Sequence, residues 1–324
     1  MSITTVSMAL NNYPGISDET KKRIKEIALE MNYVPNAAGR SLGGITENVI
    51  GLLINNLLPE EPSGAVYGFL SGACHACRDT GVNFLLITTD DREQEKINLK
   101  RLCLSKGLSG LICCGFRTTD PYMQEIGRGE IEIPCACIDL ESDNKSVSNI
   151  SIDNRLAADE AVSFLIASGR KNIAIINSRD DIDVSVKRTQ GYLDALARAG
   201  LPAPMERRLL ADFTEETAYQ KAAQLLKEDR SADAIFCISD VMAFGACRAI
   251  EDAGLTVGRD IAVVGFDDIP AAKYLYGGLT TVRQDFYRMG YAAGCSVYEK
   301  MQGRPEEDRA HLLYQLVVRG SAQP

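Results

Sequence analysis

Residues 172–200 read NIAIINSRDDIDVSVKRTQGYLDALARAG, and this stretch contains the unit from which the fold is built. The run NIAIIN has the length and the continuous apolar character of a buried strand. Residues 188–199 then carry Tyr192, Leu193 and Leu196 at helical spacing, on a side that can face a sheet. A strand that is apolar on both faces has to be covered from both sides, which is typical of parallel sheets flanked by helices.

The same alternation of strand and helix recurs along most of the chain. Apolar runs of strand length are VIGLLI, NFLLIT, GLICC, CACIDL, NIAIIN, AIFCI and AVVGF. Amphipathic helices are predicted at residues 65–79, 92–106, 156–168, 188–199, 215–227 and 241–253. This pattern is too long for one doubly wound sheet, so we predict an α/β protein with two parallel sheets, divided near the polar residues 148–151.

Composition excludes several classes of protein. The 324 residues are 45% hydrophobic and 24% charged, as in an ordinary globular protein of two or three domains. The formal net charge of −9 argues against a protein that coats nucleic acid, but not against a small DNA-reading module. No apolar stretch of about 18 residues and no basic-then-apolar leader occur, so we expect a cytoplasmic protein without a membrane segment.

Cysteine and histidine usage offers no catalytic or metal-binding arrangement. The ten cysteines are expected to be reduced thiols, and the Cys74–Cys77 pair has no second pair at zinc-binding spacing. The two histidines are His75 and His311, and neither a GxSxG nor a GxxxxGK motif is present. We therefore predict no metal, no cofactor and no enzymatic activity.

Acidic residues follow several of the apolar runs, where open parallel sheets bind their ligands. Asp139 and Asp267 are expected to contact a ligand, since no capping role can be assigned to Asp267. Asp240 and Asp268 precede helical sequences and are expected to be N-caps. Arg188 is predicted at a helix start, which is unfavourable for the helix dipole and indicates either an anionic or hydroxyl-rich partner or a surface salt bridge.

The N-terminal sequence MSITTVSMALNNYPGIS predicts a short helix at residues 2–10 with Ser2 as its cap, then a turn. A second helix is predicted to begin after Ser17, with acidic residues in its first turn. Two helices of this size do not make a stable core in water, so we expect the natural product to contain a further helix before Met1.

These features resemble the LacI type of bacterial transcriptional repressor over nearly the whole chain. The matching N-terminal segments are 2–7 (SITTVS), 10–11 (LN), 16–20 (ISDET), 31–36 (MNYVPN) and 40–42 (RSL). The later ones are 50–53 (IGLL), 107–112 (GLSGLI), 188–192 (RTQGY), 240–246 (DVMAFGA), 263–268 (VVGFDD) and 279–286 (LTTVRQDF). The resemblance implies a helix-turn-helix headpiece and a core of two subdomains like those of periplasmic binding proteins. It aligns Met1 with an internal valine of the family, so we expect a valine codon read as a start and a headpiece lacking its first helix.

The resemblance implies DNA contacts by Ile3, Thr4, Thr5, Ser7, Met8, Asn11, Asn36, Arg40 and Leu42. Ile3, Thr4 and Met8 would face base edges in the major groove. Met8 replaces an arginine that often reads guanine in the family, which should change the operator preference. Residues 35–44 resemble the hinge helix that inserts Leu42 into the minor groove, although their glycines lower helix propensity and a flexible linker is the alternative.

For the core, the resemblance implies an effector site in the cleft between the subdomains, formed by Asp139, Arg188, Phe213, Ser239, Asp267 and Phe286. The charged side chains would hold polar groups of the ligand, and Phe213 would stack on a sugar or base. Ser239 stands where sugar-binding members often have asparagine. A hydroxyl cannot supply the paired donor and acceptor of an amide, which argues against a simple hexose.

We therefore predict a cytoplasmic, homodimeric repressor that binds a pseudo-palindromic operator and responds to a small-molecule effector, a sugar or related metabolite. The C-terminal residues contain no leucine heptads, which favours a dimer over a tetramer. We expect a headpiece at 1–46, an N-subdomain at 47–150 plus 283–305, and a C-subdomain at 151–282 plus 306–324. If Met1 is the true start, the alternative is a cytosolic ligand-binding sensor without DNA binding. The third hypothesis for the function is an enzyme built on the same two-sheet core.

Overall fold

The structure is a computed structural model that describes residues 3–10, 14–31, 48–57, 64–304 and 312–323. By their contacts the residues form two compact units, Met1–Asn48 and Val49–Pro324. No helix in the described ranges is long and apolar enough to cross a bilayer. All ten cysteines are free, as predicted, and most of them are buried.

The first unit contains two packed helices, α1 (Ile3–Leu10) and α2 (Asp18–Glu30). Ala9 of α1 and Ile24 of α2 are buried between them. Ser17 caps α2 as predicted, because its Oγ accepts the backbone amide three residues later at 3.4 Å. The predicted cap of α1, Ser2, lies outside the described residues.

The first sheet of the second unit comprises β1 (Val49–Asn55), β2 (Asn83–Thr89), β3 (Gly110–Cys114), β4 (Cys135–Ile138) and β5 (Val147–Ile150). Its helices are α3 (Ala65–Thr80), α4 (Asp91–Lys96), α5 (Leu99–Lys106) and α6 (Pro121–Gly127). The strands are parallel and lie in the order β2-β1-β3-β4-β5. Leu53 and Cys113 belong to the apolar core on one face, and Leu52 and Ile112 to the core on the other. Both faces are therefore covered, which explains the unbroken apolar runs.

The second sheet comprises β6 (Ile173–Asn177), β7 (Arg208–Leu210), β8 (Ala234–Cys237), β9 (Ala262–Asp267), β10 (Thr280–Arg283) and β11 (Gln315–Val317). Its order is β11-β10-β9-β8-β6-β7, and only the pairing of β10 with β11 is antiparallel. The helices are α7 (Asn154–Ala167), α8 (Asp183–Arg198), α9 (Glu215–Glu228) and α10 (Asp240–Asp252), with short 3₁₀ turns at Met205–Arg207 and Pro270–Lys273. The predicted α/β class with two parallel sheets is confirmed.

The chain passes between the two sheets more than once. It leaves the first sheet after β5, and after β10 it returns to pack helix α11 (Phe286–Met301) against α3 and the first sheet. Ile152 forms a bridge with Leu312 beside the first of these crossings. The subdomain limits given above stay a prediction, because the contacts divide the chain only between Met1–Asn48 and Val49–Pro324.

Three predicted elements differ in the structure. Residues 92–106 form two helices, because the Asn98 side chain caps a new helix there and the Leu99 amide donates to the carboxylate of Glu125. The polar residues 148–151 do mark the predicted division, because β5 is the last strand of the first sheet along the chain, but most of them form that strand and not a connection. An edge strand tolerates polar residues, and β5 is at the edge of its sheet. Helix α8 begins at Asp183, five residues earlier than predicted.

Candidate effector site

A cavity of about 330 Å³ lies at the carboxyl ends of strands from both sheets. Its lining includes every predicted effector residue: Asp139, Arg188, Phe213, Ser239, Asp267 and Phe286. These residues are far apart in sequence but come together because parallel strands end at the same edge of a sheet. The volume is at the lower end of the range for small-molecule sites.

Other cavities in the described part of the chain are larger but lack this arrangement, and one of about 450 Å³ is lined by Glu141, Ser151, Asn154 and Lys187. One of about 600 Å³ lies between α9 and α10, and one of about 570 Å³ is lined by Arg170, Asp233 and Arg259. The guanidinium of Arg170 already donates to backbone carbonyls of Asp233, Gly258, Arg259 and Asp260. The cavity at the strand ends is therefore the candidate site.

Arg188 is the central cation of the cavity and is only 3% exposed. Its Nε donates to Asn154 Oδ1 at 2.8 Å and its Nη1 to the carbonyl of Ile238 at 2.6 Å. Burial lowers the pKa of Arg188, while the carboxylates of Asp267, Asp139 and Asp240 oppose this shift. The prediction that Arg188 starts a helix is wrong, because it lies in the second turn of α8. Burial among carboxylates, rather than the helix dipole, accounts for its partners.

Asp139 brings a carboxylate from the first sheet to the same cavity. It follows β4 with φ +56°, a left-handed conformation that is costly for a residue with a side chain and is often found at functional sites. Its Oδ1 accepts the hydroxyl of Ser151 at 2.6 Å. Burial raises the pKa of Asp139, and the nearby Arg188 and the Ser151 hydroxyl act in the opposite direction. A ligand hydroxyl or amine that donates to this carboxylate would relieve its desolvation.

Asp267 ends β9, is 8% exposed and has φ +120°. Gln284 lies beside it and donates its Nε2 to Asp267 Oδ1 at 2.7 Å. Gln284 also lines the cavity, and its buried Oε1 has no hydrogen-bond partner in the described part of the chain. Gln284 was not predicted from the sequence, because the strand that it follows, β10, is not among the apolar runs. Its unpaired acceptor indicates a ligand that donates hydrogen bonds.

Ser239 and Asp240 have roles other than those expected. Ser239 is the N-cap of α10, because its Oγ accepts the amide of Met242 at 3.3 Å. Asp240 is the first helical residue, so its predicted capping role is wrong. Its fully buried carboxylate accepts the amide of Ile269 at 2.9 Å and the hydroxyl of Thr281 at 2.6 Å. Asp240 thus holds the loop after β9 and strand β10 behind the site.

Asp268 is not a helix cap either. The turn at Pro270–Lys273 begins after Ile269 without a side-chain cap. The Asp268 carboxylate instead pairs with Arg283 at 2.6 Å and with Arg319 at 2.7 Å. It ties the end of β9 to β10 and to the C-terminal segment, which supports the neighbouring Asp267.

Aromatic and aliphatic side chains form the remaining walls of the cavity. Phe286 meets Phe69 edge to face with 5.4 Å between ring centres. Phe213, with φ +57°, also lines the cavity and lies on the loop before α9. Such apolar faces suit the non-polar side of a sugar ring or a base.

Arg117 is a second cation of the cavity that the sequence analysis missed. It lies on the loop after β3, and its Nε donates to Asp120 Oδ1 at 2.9 Å. Its Nη2 pairs with Asp91 at 2.7 Å. Arg117 is therefore already neutralised by carboxylates of its own sheet, so the two arginines do not make the cavity an anion site.

Contacts also join the two halves of the second unit, each of which is one sheet with its helices, beside the cavity. Lys187 of α8 pairs with Glu141, which follows β4, at 2.9 Å, and with Asp183 at 2.8 Å. The amide of Thr118 donates to the carbonyl of Asp181 at 2.9 Å. These contacts connect the loops after β3 and β4 with the segment that supplies Arg188.

The predicted DNA contacts are described only in part. Thr5 and Met8 lie on α1 and are half-buried. Ile3, Thr4 and Ser7 also lie on α1, but their side chains are outside what the structure describes. Asn11, Asn36, Arg40 and Leu42 lie outside the described residues, as does the predicted hinge at 35–44. These assignments stay predictions.

The site supplies hydrogen-bonding groups and apolar faces, an arrangement suited to binding a small molecule. Within the described ranges, no group of three or more His, Cys, Asp or Glu residues is placed to hold a metal ion. His75 Nδ1 is hydrogen-bonded to the hydroxyl of Tyr287, which joins α3 to α11.

Comparison with known proteins agrees with this architecture. Residues 1–36 match the family model described as bacterial regulatory proteins, lacI family. Residues 162–322 match the periplasmic binding protein-like domain. The chain is 31% identical over 285 residues to the probable HTH-type transcriptional repressor ExuR of Bacillus subtilis, covering 88% of this chain and 83% of the relative. It is 29% identical over 328 residues to the HTH-type transcriptional repressor CytR of Escherichia coli, covering 100% of this chain and 93% of the relative.

Solved structures agree as well. A complex of the transcriptional regulator CelR with cellobiose has a TM-score of 0.78 and 27% identity, over 98% of this chain and 94% of that one. The lac repressor dimer bound to operator and an anti-inducer has a TM-score of 0.86 at 24% identity, over 100% of this chain and 96% of that one. The resemblance found in the sequence is therefore confirmed, and the chain belongs to the lacI family of bacterial regulatory proteins.

Proposed function

We propose that the chain is a homodimeric transcriptional repressor that binds a pseudo-palindromic operator and is controlled by a small molecule in the strand-end cavity. One observation carries the proposal: polar residues from the ends of both sheets line a single cavity, in a chain whose first residues match the lacI family. The names of the relatives, which are repressors, and the operator-bound lac repressor dimer support the DNA and dimer parts. The role requires no catalytic group, and we propose none.

The chemistry of the cavity favours a hydroxylated ligand, a sugar or related metabolite. Asp139, Asp267 and Gln284 offer hydrogen-bond acceptors, while Arg188 offers donors. Phe213 and Phe286 offer faces for the apolar side of a ring. The cellobiose complex of CelR supports a ligand of this class.

Control by the ligand follows from the position of the cavity. A ligand that touches Asp139 on one half and Asp267 on the other stabilises one arrangement of the halves over another. It changes operator affinity only by its difference in affinity for the two arrangements, and about 5.5 kcal/mol would convert a 1:99 mixture to 99:1. The predicted hinge at 35–44 is the segment that we propose conveys this difference to DNA.

Selection from a random pool of DNA duplexes, followed by gel shift, tests the DNA-binding part. We expect a palindromic motif to be enriched and one dimer to bind each duplex. The variant Met8→Glu adds an anionic side chain at a predicted base-facing position and should abolish binding without affecting the core. Failure to enrich any motif, or an undiminished gel shift with Met8→Glu, would contradict the proposal.

A thermal-shift screen of sugars, nucleosides and phosphorylated metabolites tests the effector part. A compound that raises the melting temperature should also change the gel shift, and Asp267→Ala should remove both effects while operator binding persists. A compound that binds the cavity of a protein unable to bind any duplex would favour the ligand-binding sensor instead.

A further inference from the structure

Ser151 and Asn154 lie where the chain crosses from the first sheet to the second, and each is hydrogen-bonded to a charged residue of the cavity. The Ser151 hydroxyl donates to Asp139 Oδ1 at 2.6 Å and accepts from Asn154 Nδ2 at 2.9 Å. Asn154 Oδ1 then accepts from Arg188 Nε at 2.8 Å. An unbroken hydrogen-bonded chain therefore runs from the carboxylate of one half to the guanidinium of the other.

The two ends of this chain set the direction of every bond in it. The Arg188 guanidinium can only donate, so it requires the oxygen of the Asn154 amide. The amide nitrogen is then directed to Ser151, whose single proton is left for Asp139. Each member can satisfy its neighbours in one orientation only.

Helix capping does not account for Asn154. Asp153 is the N-cap of α7, and its carboxylate accepts the amide of Leu156 at 2.9 Å. The Asn154 side chain is 1% exposed and also donates to the carbonyl of Ile152 at 3.4 Å. A buried amide that is not needed for the cap and reaches between the two halves indicates a role at the cavity.

We propose that Ser151 and Asn154 are positioning residues that hold Asp139 and Arg188 in one fixed relation, so that the ligand meets the charged groups of both halves as a unit. The inference rests on the proposed function, since it concerns how the effector cavity is organised. We call the hydrogen-bonded chain through Ser151 and Asn154 the relay. Without the relay, Asp139 and Arg188 would each be oriented only by residues of its own half.

The electrostatic surroundings make the relay measurable. Asp139 faces Arg188, Lys187 and the carboxylate of Asp183, and burial raises its pKa while the hydroxyl of Ser151 lowers it. Arg188 faces the carboxylates of Asp267, Asp139 and Asp240. Loss of the donated hydrogen bond therefore raises the pKa of Asp139 further.

The test uses nuclear magnetic resonance on the full chain without ligand or DNA. The pKa of Asp139 is followed through its side-chain carbon, and the hydrogen exchange of Arg188 through its Nε–H signal. Ser151→Ala should raise the pKa of Asp139 by about 0.5 to 1, and Ser151→Thr, which keeps the hydroxyl, should restore it. Asn154→Ala should raise the same pKa and speed the Arg188 exchange by about fivefold, although Asn154 does not touch Asp139.

Ser148→Ala is the matched control, because Ser148 lies on β5 and bonds to Ser296 instead of Asp139. It should leave both signals unchanged. If Asn154→Ala does not fold, the faster Arg188 exchange expected in Ser151→Ala tests transmission from the other end of the relay. An Asp139 pKa and an Arg188 exchange rate equal to those of the parent in Ser151→Ala would overturn the proposal. Failure of the operator or effector assays would count only against the proposed function, because neither signal depends on them.

Discussion

The guanidinium carbon of Arg188 lies 3.6 Å from the centre of the Phe266 ring, so the cation of the cavity is stacked on the core of the second sheet. The planar guanidinium stacks its face on the Phe266 ring and donates hydrogen bonds along its edge at the same time. A residue that does not line the cavity therefore supports the position of the cation, together with the hydrogen bonds to Asn154 and Ile238.

Arg188→Lys should destabilise the protein even though the charge is kept. The ammonium of lysine cannot stack on Phe266 and also donate to Asn154 and Ile238, so we expect a loss of about 1–3 kcal/mol in urea unfolding. The control is Arg155→Lys, since Arg155 forms an exposed pair with Asp194 and should change stability by less than about 0.5 kcal/mol. Equal effects of the two variants would contradict this account.

Asp240→Asn should reveal a pH-dependent cost of the buried carboxylate. Burial and the nearby Asp267 raise the pKa of Asp240 well above its ordinary value. A raised carboxyl pKa means that the folded protein holds a proton the unfolded chain has released, so wild-type stability relative to Asp240→Asn falls as pH rises from about 4. Urea unfolding of both proteins at pH 5 and pH 8 measures this, and a stability difference independent of pH would be inconsistent with it.

Gly72→Ala should force α3 and α11 apart. A Cβ at Gly72 would lie 2.1 Å from the carbonyl oxygen of Tyr287 and 2.6 Å from the amide of Tyr291, both in the backbone of α11. We expect a loss of at least about 1–3 kcal/mol in urea unfolding, together with weaker ligand binding because α11 carries Phe286. Gly127→Ala is the control, since nothing lies within 4 Å of its added Cβ, and it should be neutral. A stable Gly72→Ala protein would show that the helices can separate at little cost.

Ser239→Ala and Ser239→Asn should separate the capping role from the ligand role. The alanine variant loses the cap of α10 and should be about 1 kcal/mol less stable, whereas asparagine caps as well as serine and should retain stability. The amide introduced by Ser239→Asn would also offer the ligand a paired donor and acceptor, so the set of compounds that raise the melting temperature should change. Equal stability of the two variants would argue against the capping role.

Lys187→Ala should loosen the contact between the halves with little change in global stability. Glu141 is exposed, so the lost ion pairs are worth less than about 1 kcal/mol. Hydrogen exchange measured by mass spectrometry should become faster at residues 139–143, and high salt should reduce the difference from the parent. Exposed Lys171 provides the control in Lys171→Ala, and faster exchange in both variants would exclude a specific contact.

Much of the cavity could be predicted because parallel strands place their carboxyl ends at one edge. Asp139 and Asp267 were found from the apolar runs before them, and Phe213 and Phe286 from the family resemblance. Gln284 and Arg117 were missed, since neither ends an apolar run that signals a strand end. The roles of Asp240 and Asp268 were wrong because a carboxylate before a helix has the same local sequence whether it caps that helix or binds a distant strand.

By itself the sequence determined the alternating strands and helices, the two-sheet class and the family, because hydrophobic periodicity and short motifs are local properties of the chain. Tertiary structure alone decided that Arg188 stacks on Phe266, that Ser239 rather than Asp240 caps α10, and that Ser151 and Asn154 link Asp139 to Arg188. Arg188 is 34 positions from Asn154, and Asp240 is 41 positions from Thr281, the strand residue that its carboxylate binds in place of capping the helix. Such partners depend on how the two sheets and the crossings between them pack. Periodicity indicates which face of an element is buried, but only packing determines what it is buried against.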